Sequence, residues 1–158
     1  MTTKKFLALC AALLIYGSTF SQSKAPVLQP CNNSEVGTEI MALSSSFQQR
    51  GFELLQFQTM MMPSGAYFPI SMNMEQGRSY EINFVVPQQF HQFNVTIIDK
   101  DKKELVNKTV KSKKGGSNKF SQSFAPPYSG IFMVVLSQKI KGGGVACGGV
   151  SVLRAKNL

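Results

Sequence analysis

The chain has 158 residues, 43% of them hydrophobic, with 17 Lys and Arg against 8 Asp and Glu and a formal net charge of +9. That length encloses one core of ordinary size and asks for no second one. One His, three Cys and no Trp leave little material for histidine-based catalysis or a cysteine-rich metal site.

Lys4 and Lys5 precede an apolar run over 6–16, and Gly17, Ser18 and Thr19 follow it, which is the order of a secretory signal. The run is too short to span a bilayer core, which takes ~20 helical residues. It therefore predicts a cleavable signal over 1–21, with small residues at Thr19 and Ser21 and Gln22 as the new N-terminus. A lipoprotein reading of Leu7-Ala8-Leu9-Cys10 is weaker: bulky Leu9 stands where a small residue belongs, and most of the apolar run follows the cysteine. Losing Lys4 and Lys5 with 21 of the 158 residues leaves 137 residues at a net charge of +7. Cys10 departs too, so Cys31 and Cys147 remain to pair in an oxidising compartment. Closing so long a loop contributes roughly 4 to 5 kcal/mol in the chain-entropy account. The rival, free thiols with a reactive or metal-binding role, lacks a histidine cluster or a second cysteine pair to support it.

Residues 22–38 carry Pro26, Pro30, Asn32 and Asn33 and read as an irregular leader before a single domain over 39–158. Over 39–49, Ile40, Leu43 and Phe47 recur at i, i+3 and i+7, and Gly51 stands where a helix stops. A short N-terminal helix fits. Ser44, Ser45 and Ser46 weaken it, and a strand fits nearly as well.

From 52 onward, short apolar or alternating runs are separated by Gly, Pro and Lys-rich turns. Strands are expected at 52–61, 66–74, 79–86, 93–99, 104–111, 119–124, 130–138 and 145–154. Ile82, Phe84 and Val86, then Phe93, Val95 and Ile97, are expected to face inward, with Glu81, Asn83, Asn94 and Thr96 facing water. Residues 131–136 are apolar at every position and predict a central strand covered on both faces. The predicted class is all-β: a two-sheet antiparallel β-sandwich, jelly-roll-like, of about eight strands.

Gly77-Arg78-Ser79-Tyr80, Val95-Thr96-Ile97-Ile98-Asp99 and Pro126-Pro127-Tyr128-Ser129-Gly130 together resemble the bacterial pre-peptidase C-terminal type of domain over roughly 65–136. The resemblance implies a jelly-roll-like sandwich found beside secreted hydrolases or as small exported proteins, and it implies no catalytic residue. The missing Trp, a long Lys-rich hairpin and the disulfide-tied N-terminal segment depart from the pattern.

No chemistry-bearing constellation stands out, and no catalytic residue, metal or cofactor is expected. His91 reads as a solvated histidine in an 87–92 loop among three glutamines, with no nucleophile elbow in the chain. Glu53, Glu75 and Glu81 stand singly, without the paired form of a glycosidase. Asp99, Asp101 and Glu104 are spaced loosely like calcium ligands, but Lys102 and Lys103 oppose a cation and a polar hairpin tip explains them better. Met60-Met61-Met62 and Met72-Asn73-Met74 could suit Cu(I), yet alternation in a strand splits them between faces. Gly142 to Gly144 read as a tight hairpin, and Gly148-Gly149 as a close backbone approach beside Cys147. The acceptor patterns at Asn32, Asn94 and Asn107 are incidental in a chain with a bacterial-type signal.

Eight lysines, Lys100, Lys102, Lys103, Lys108, Lys111, Lys113, Lys114 and Lys119, lie close in sequence, on what read as two adjacent hairpin ends. Such a patch draws polyanions, or simply keeps a sheet edge soluble. Aromatics are not interleaved with them, so sequence-specific nucleic-acid binding is not expected. The function expected from these features is a non-enzymatic accessory module outside the cytoplasm, periplasmic, surface-bound or secreted, without a transmembrane segment. Its expected partner is an envelope or extracellular protein or a surface glycan. Polyanion binding through the lysines, or a small hydrolase assembled from distant strands, are the alternatives.

Overall fold

The structure, a computed structural model, describes residues 30–31, 34–113 and 116–156. The expected signal, Cys10, most of the leader and Lys114 lie outside the described residues.

Helix α1 (Ser34–Gln49) comes first. The helical alternative for 39–49 holds, and the helix begins several residues earlier, inside the expected leader. Val36, Ile40 and Phe47 are buried along one stripe with Ser44, and Glu35 in the first turn suits the positive end of the helix dipole. Gly51, at φ 90°, ends it by taking a conformation other residues avoid.

Eight strands follow: β1 (Phe52–Pro63), β2 (Tyr67–Met74), β3 (Tyr80–Val85), β4 (Phe90–Ile98), β5 (Glu104–Lys111), β6 (Lys119–Phe124), β7 (Gly130–Ile140) and β8 (Val145–Ala155). They match the expected strands to within a few residues. One sheet runs β1-β8-β3-β6 and the other β2-β7-β4-β5, and every pairing is antiparallel. That order is a jelly roll. Of consecutive strands only β4 and β5 pair, so the other connections cross between sheets. Gly142 to Gly144 accordingly do not close a hairpin. Their positive φ angles carry the chain from β7 in one sheet to β8 in the other.

Between the sheets, Ile82, Phe84, Val86, Phe93, Val95 and Ile97 are buried as the alternation predicts, with Phe132, Val134 and Leu136 from β7. Met60, Met62 and Met74 fill this core, whereas Met61 packs on the opposite side of β1. The methionines are thus divided between two environments. Gln138 is buried among apolar residues and donates from Nε2 to the carbonyl of Ala146 at 3.0 Å, which ties the two sheets together.

The outer face of the first sheet is covered by α1. Val36, Ile40, Val85, Cys31 and Cys147 form a second small core there, with Leu43, Phe57 and Met61 against it. Cys31 and Cys147 are joined as a disulfide. A Cβ on Gly149 would sit 3.0 Å from both Val36 Cγ1 and Ile40 Cγ2. The missing side chain is what allows the helix so close to β8.

Covering this face overturns one expectation. Glu81 and Asn83 do not face water but are buried beneath it, Asn83 at 0% exposure. Asn83 donates to the Ser151 hydroxyl at 3.1 Å and accepts from Ser121 at 2.7 Å. Ser44 pairs with Ser151 at 2.8 Å and donates to the Ile40 carbonyl at 2.7 Å. Glu81 accepts from the Ser123 hydroxyl. Of the three serines that weaken a helical reading, Ser44 is thus spent on bonding to the sheet and Ser46 on the Leu43 carbonyl within the helix.

Candidate functional site

Among the described residues no helix lies on the outer face of the second sheet, and there the reading of β7 needs correction. It is central in its sheet, between β2 and β4, but it is not covered on both faces. Ile131 is 63% exposed, and Met133 and Val135 are only partly buried. Their outward positions meet solvent because α1 lies on the other sheet.

Register assembles this open face in rows. Tyr67, Ser137, Asn94 and Thr109 stand side by side across β2, β7, β4 and β5. Pro69, Val135, Thr96 and Asn107 form the next row, followed by Ser71, Met133, Ile98 and Glu104. Tyr67 is 70% exposed. The face grades from hydroxyls and amides beside Tyr67 to aliphatic side chains near Ile131. Neutral amides and hydroxyls both donate and accept, and an exposed tyrosine offers an apolar ring with a polar tip.

The lysines are distributed differently from their order in sequence. Lys100, Lys102 and Lys103 lie at the β4–β5 tip, and Lys111 and Lys113 at the other end of β5, about 23 Å away at the rise of a strand. Lys108 is exposed along this edge strand, in keeping with protection of the edge. Lys111, Lys113 and Lys119 line one hollow with Thr109, Gly116 and Ser117, and Lys119 there pairs with Glu39 at 3.6 Å. There are therefore not two adjacent hairpin ends but one hairpin tip and one crossover, at opposite ends of β5.

His91 lies exposed on β4 at an irregularity between Phe90 and Gln92, a strand position rather than the loop expected. Glu53 and Glu75 do meet, both on Arg154: its Nε reaches Glu53 at 2.7 Å and its Nη1 reaches Glu75 at 3.0 Å. The bond to Glu53 is the main reason the Arg154 guanidinium is held even more firmly protonated than usual, against an opposing effect of burial. A carboxylate pair bridged in this way is engaged in an ion-pair network joining β1, β8 and the end of β2. Among the described residues no group of three or more His, Cys, Asp or Glu could hold a metal ion.

Asp99 organises the hairpin tip. Its Oδ1 accepts the backbone N–H groups of Asp101 and Lys103, each at 2.9 Å, and its Oδ2 accepts the Tyr128 hydroxyl at 2.8 Å. The Lys103 N–H, with the Tyr128 and Asp101 bonds and the Lys103 charge, outweighs burial and holds the carboxyl below its ordinary range. Burial, reinforced by the Asp99 bond, pushes the Tyr128 phenol up to about 12. A folded-state carboxyl pKa below the unfolded one gives stability that is present above the unfolded value and lost as pH falls through the folded one. Tyr128→Phe is therefore expected to lower the Tm by a few degrees at neutral pH, with the deficit shrinking as the buffer is taken below the ordinary carboxylate range. Thermal melts of both proteins across pH check this.

No protein-family model matches the chain, and no curated protein matches it. Among solved structures, one described as "CBM4 structure and function" aligns with 63% of this chain and 74% of its own, at 13% identity and a TM-score of 0.40. The arabinose-bound MgGH51 α-L-arabinofuranosidase aligns with 66% of this chain, at 9% identity and a TM-score of 0.35. This chain spans only 23% of that enzyme. Both are distant likenesses. The open face, and not these neighbours, is what bears on function.

The sequence singled out the lysines and missed this face, although its residues were in view. Alternation in 93–98 marks Asn94 and Thr96 as outward-facing, but only the register with β2, β5 and β7 sets them beside Tyr67, Ser137 and Thr109.

Proposed function

We propose that the protein is an exported, non-enzymatic binding module that takes a glycan chain on the open face of β2, β7, β4 and β5. The observation that supports this is the row Tyr67, Ser137, Asn94 and Thr109: an exposed aromatic ring beside neutral groups that donate and accept hydrogen bonds. Sugars present both an apolar C–H face and hydroxyls, and such a row meets both. The signal-like N-terminus and the Cys31–Cys147 disulfide support export into an oxidising compartment. Among the described residues no helix is long and apolar enough to cross a membrane. An accessory role of this kind is also what the resemblance to the pre-peptidase C-terminal type would imply. A protein partner is the second reading, favoured by the aliphatic end of the same face, where Ile131, Met133 and Ile98 lie.

Affinity electrophoresis through a panel of neutral and acidic polysaccharides tests the reading. Wild type is expected to be retarded by at least one of them. Tyr67→Ala should weaken that binding by about tenfold, the loss of a stacking contact on the scale of 1 to 1.5 kcal/mol, while leaving the Tm unchanged because Tyr67 is exposed. Failure to bind any polysaccharide, or equal retardation of Tyr67→Ala, overturns the glycan reading. Binding of a protein partner that is lost in Ile131→Glu would put the second reading in its place.

A further inference from the structure

The open face is electrically lopsided. In register across its end beyond Tyr67 stand Lys139 of β7, Gln92 of β4 and Lys111 of β5. Two strand spacings separate the lysine backbones, about 10 Å. Lys141 continues from Lys139, its N–H bonded to the Gln89 carbonyl at 3.1 Å, and Lys113 continues from Lys111, with the intervening Ser112 N–H bonded to the His91 carbonyl at 2.8 Å. Both chains are thus pinned against the start of β4. All four lysines are exposed, and none forms an ion pair among the described residues.

The acids lie elsewhere. Glu35 and Glu39 are on the helix covering the other sheet, where Glu39 reaches towards this end but is engaged with Lys119 at 3.6 Å, and Glu53 and Glu81 belong to that sheet itself. Glu75, Asp99, Asp101 and Glu104 gather at the opposite end of the open face, where β2 and β4 finish and β5 begins. The hydroxyl-and-amide row with Tyr67 therefore runs beside an uncompensated group of four cations.

We infer that this basic end makes the site selective for anionic glycans, sugars bearing carboxylate or sulfate, with Lys111 and Lys139 as the charged contacts on either side of Gln92. The inference rests on the glycan reading above and names its ligand class. A polyanion of any kind would be drawn to the lysines. What favours a glycan over a nucleic acid is the adjoining row, which offers one tyrosine and neutral hydrogen-bonding groups rather than a series of aromatic platforms for bases. Lys139 lies 20 positions beyond Lys119, the last of the lysines conspicuous in sequence, and only the β4–β7 register unites Lys139 and Lys141 with that group.

The test measures binding of the full exported chain to heparin (sulfated), polygalacturonate (carboxylated), dextran (uncharged) and duplex DNA as salt is raised. Wild type, Lys111→Gln/Lys139→Gln and Lys100→Gln/Lys102→Gln/Lys103→Gln are compared. At least one acidic glycan is expected to bind wild type tenfold or more tighter than dextran. The Lys111/Lys139 variant should lose about tenfold of that affinity and show a shallower salt dependence, and the hairpin-tip variant should bind like wild type. Equal binding of dextran and the acidic glycans overturns this inference and leaves the glycan reading standing. No binding to any of the three glycans, or tighter binding to DNA, overturns both. Equal losses in the two lysine variants would show net charge acting without a site, and would also overturn the inference.

Discussion

Replacing both cysteines, as Cys31→Ala/Cys147→Ala, is expected to lower stability by roughly 4 kcal/mol, within the range for a bridge closing a loop of this length. The bridge joins the segment before α1 to β8, at a sequence separation of 116. Nearly the whole sandwich lies inside the loop, so the unfolded chain gains most of its freedom when the bridge goes. At the size of this chain that corresponds to a Tm lower by about 10 to 20 °C. The folded state supplies a second effect. Cys31 and Cys147 are part of the small core with Val36, Ile40 and Val85, and Thr59 Oγ1 donates to the Cys31 carbonyl at 3.2 Å. Without the bridge this end of the covered face is free to open, beginning at the start of α1. Urea unfolding separates the two contributions. A more expanded unfolded state raises the m-value, whereas lost packing alone lowers the midpoint at constant m. A Tm within about 3 °C of wild type would show that the bridge contributes little.

The same covered face explains what the sequence could and could not convey. Strands were legible because alternation and turn residues are local: Ile82, Phe84 and Val86 announce their inward face without reference to any other strand. What lies across an outer face is not local. Asn83 and Asn94 both stand on outward positions of alternating strands and look alike in sequence, yet the first is buried on the face that α1 covers and no described element covers the second. In the same way Val85 and Val135 both face outward, and only Val85 is under the helix. The continuous apolar run of β7 signals a central strand, which it is. It does not signal two covered faces, because Ile131, Met133 and Val135 are equally compatible with solvent or a partner. Gly149 was recognisable as a close approach, but that Val36 and Ile40 are what approach it depends on where α1 docks. The candidate site suffers most, since every row of it draws on three or four strands.

Phe93→Ala is expected to cost about 3 to 5 kcal/mol, the usual range for emptying a buried aromatic site. Phe93 is 1% exposed and stands where the two sheets interlock. Its ring meets Phe84 of β3 edge-on at 5.7 Å, Phe120 of β6 at 5.8 Å and Phe90 of its own strand at 5.3 Å. Alanine removes all three contacts and leaves a hole that β3, held beneath α1 and between β8 and β6, has little freedom to close. Phe93→Leu should lose much less, about 1.5 kcal/mol, because most of the volume is retained. The consequence for the site follows from alternation. Phe93 points inward between Gln92 and Asn94, which point outward, so slack in the core beneath β4 is passed directly to the hydroxyl-and-amide row and to the Lys139–Gln92–Lys111 row. Phe93→Ala should accordingly weaken glycan retention at temperatures where it is still folded, whereas Phe93→Leu should retain it. Urea midpoints give the stability terms and affinity electrophoresis the binding. An alanine variant that loses stability by the expected amount but binds like wild type would show that the open face is positioned independently of the core under β4.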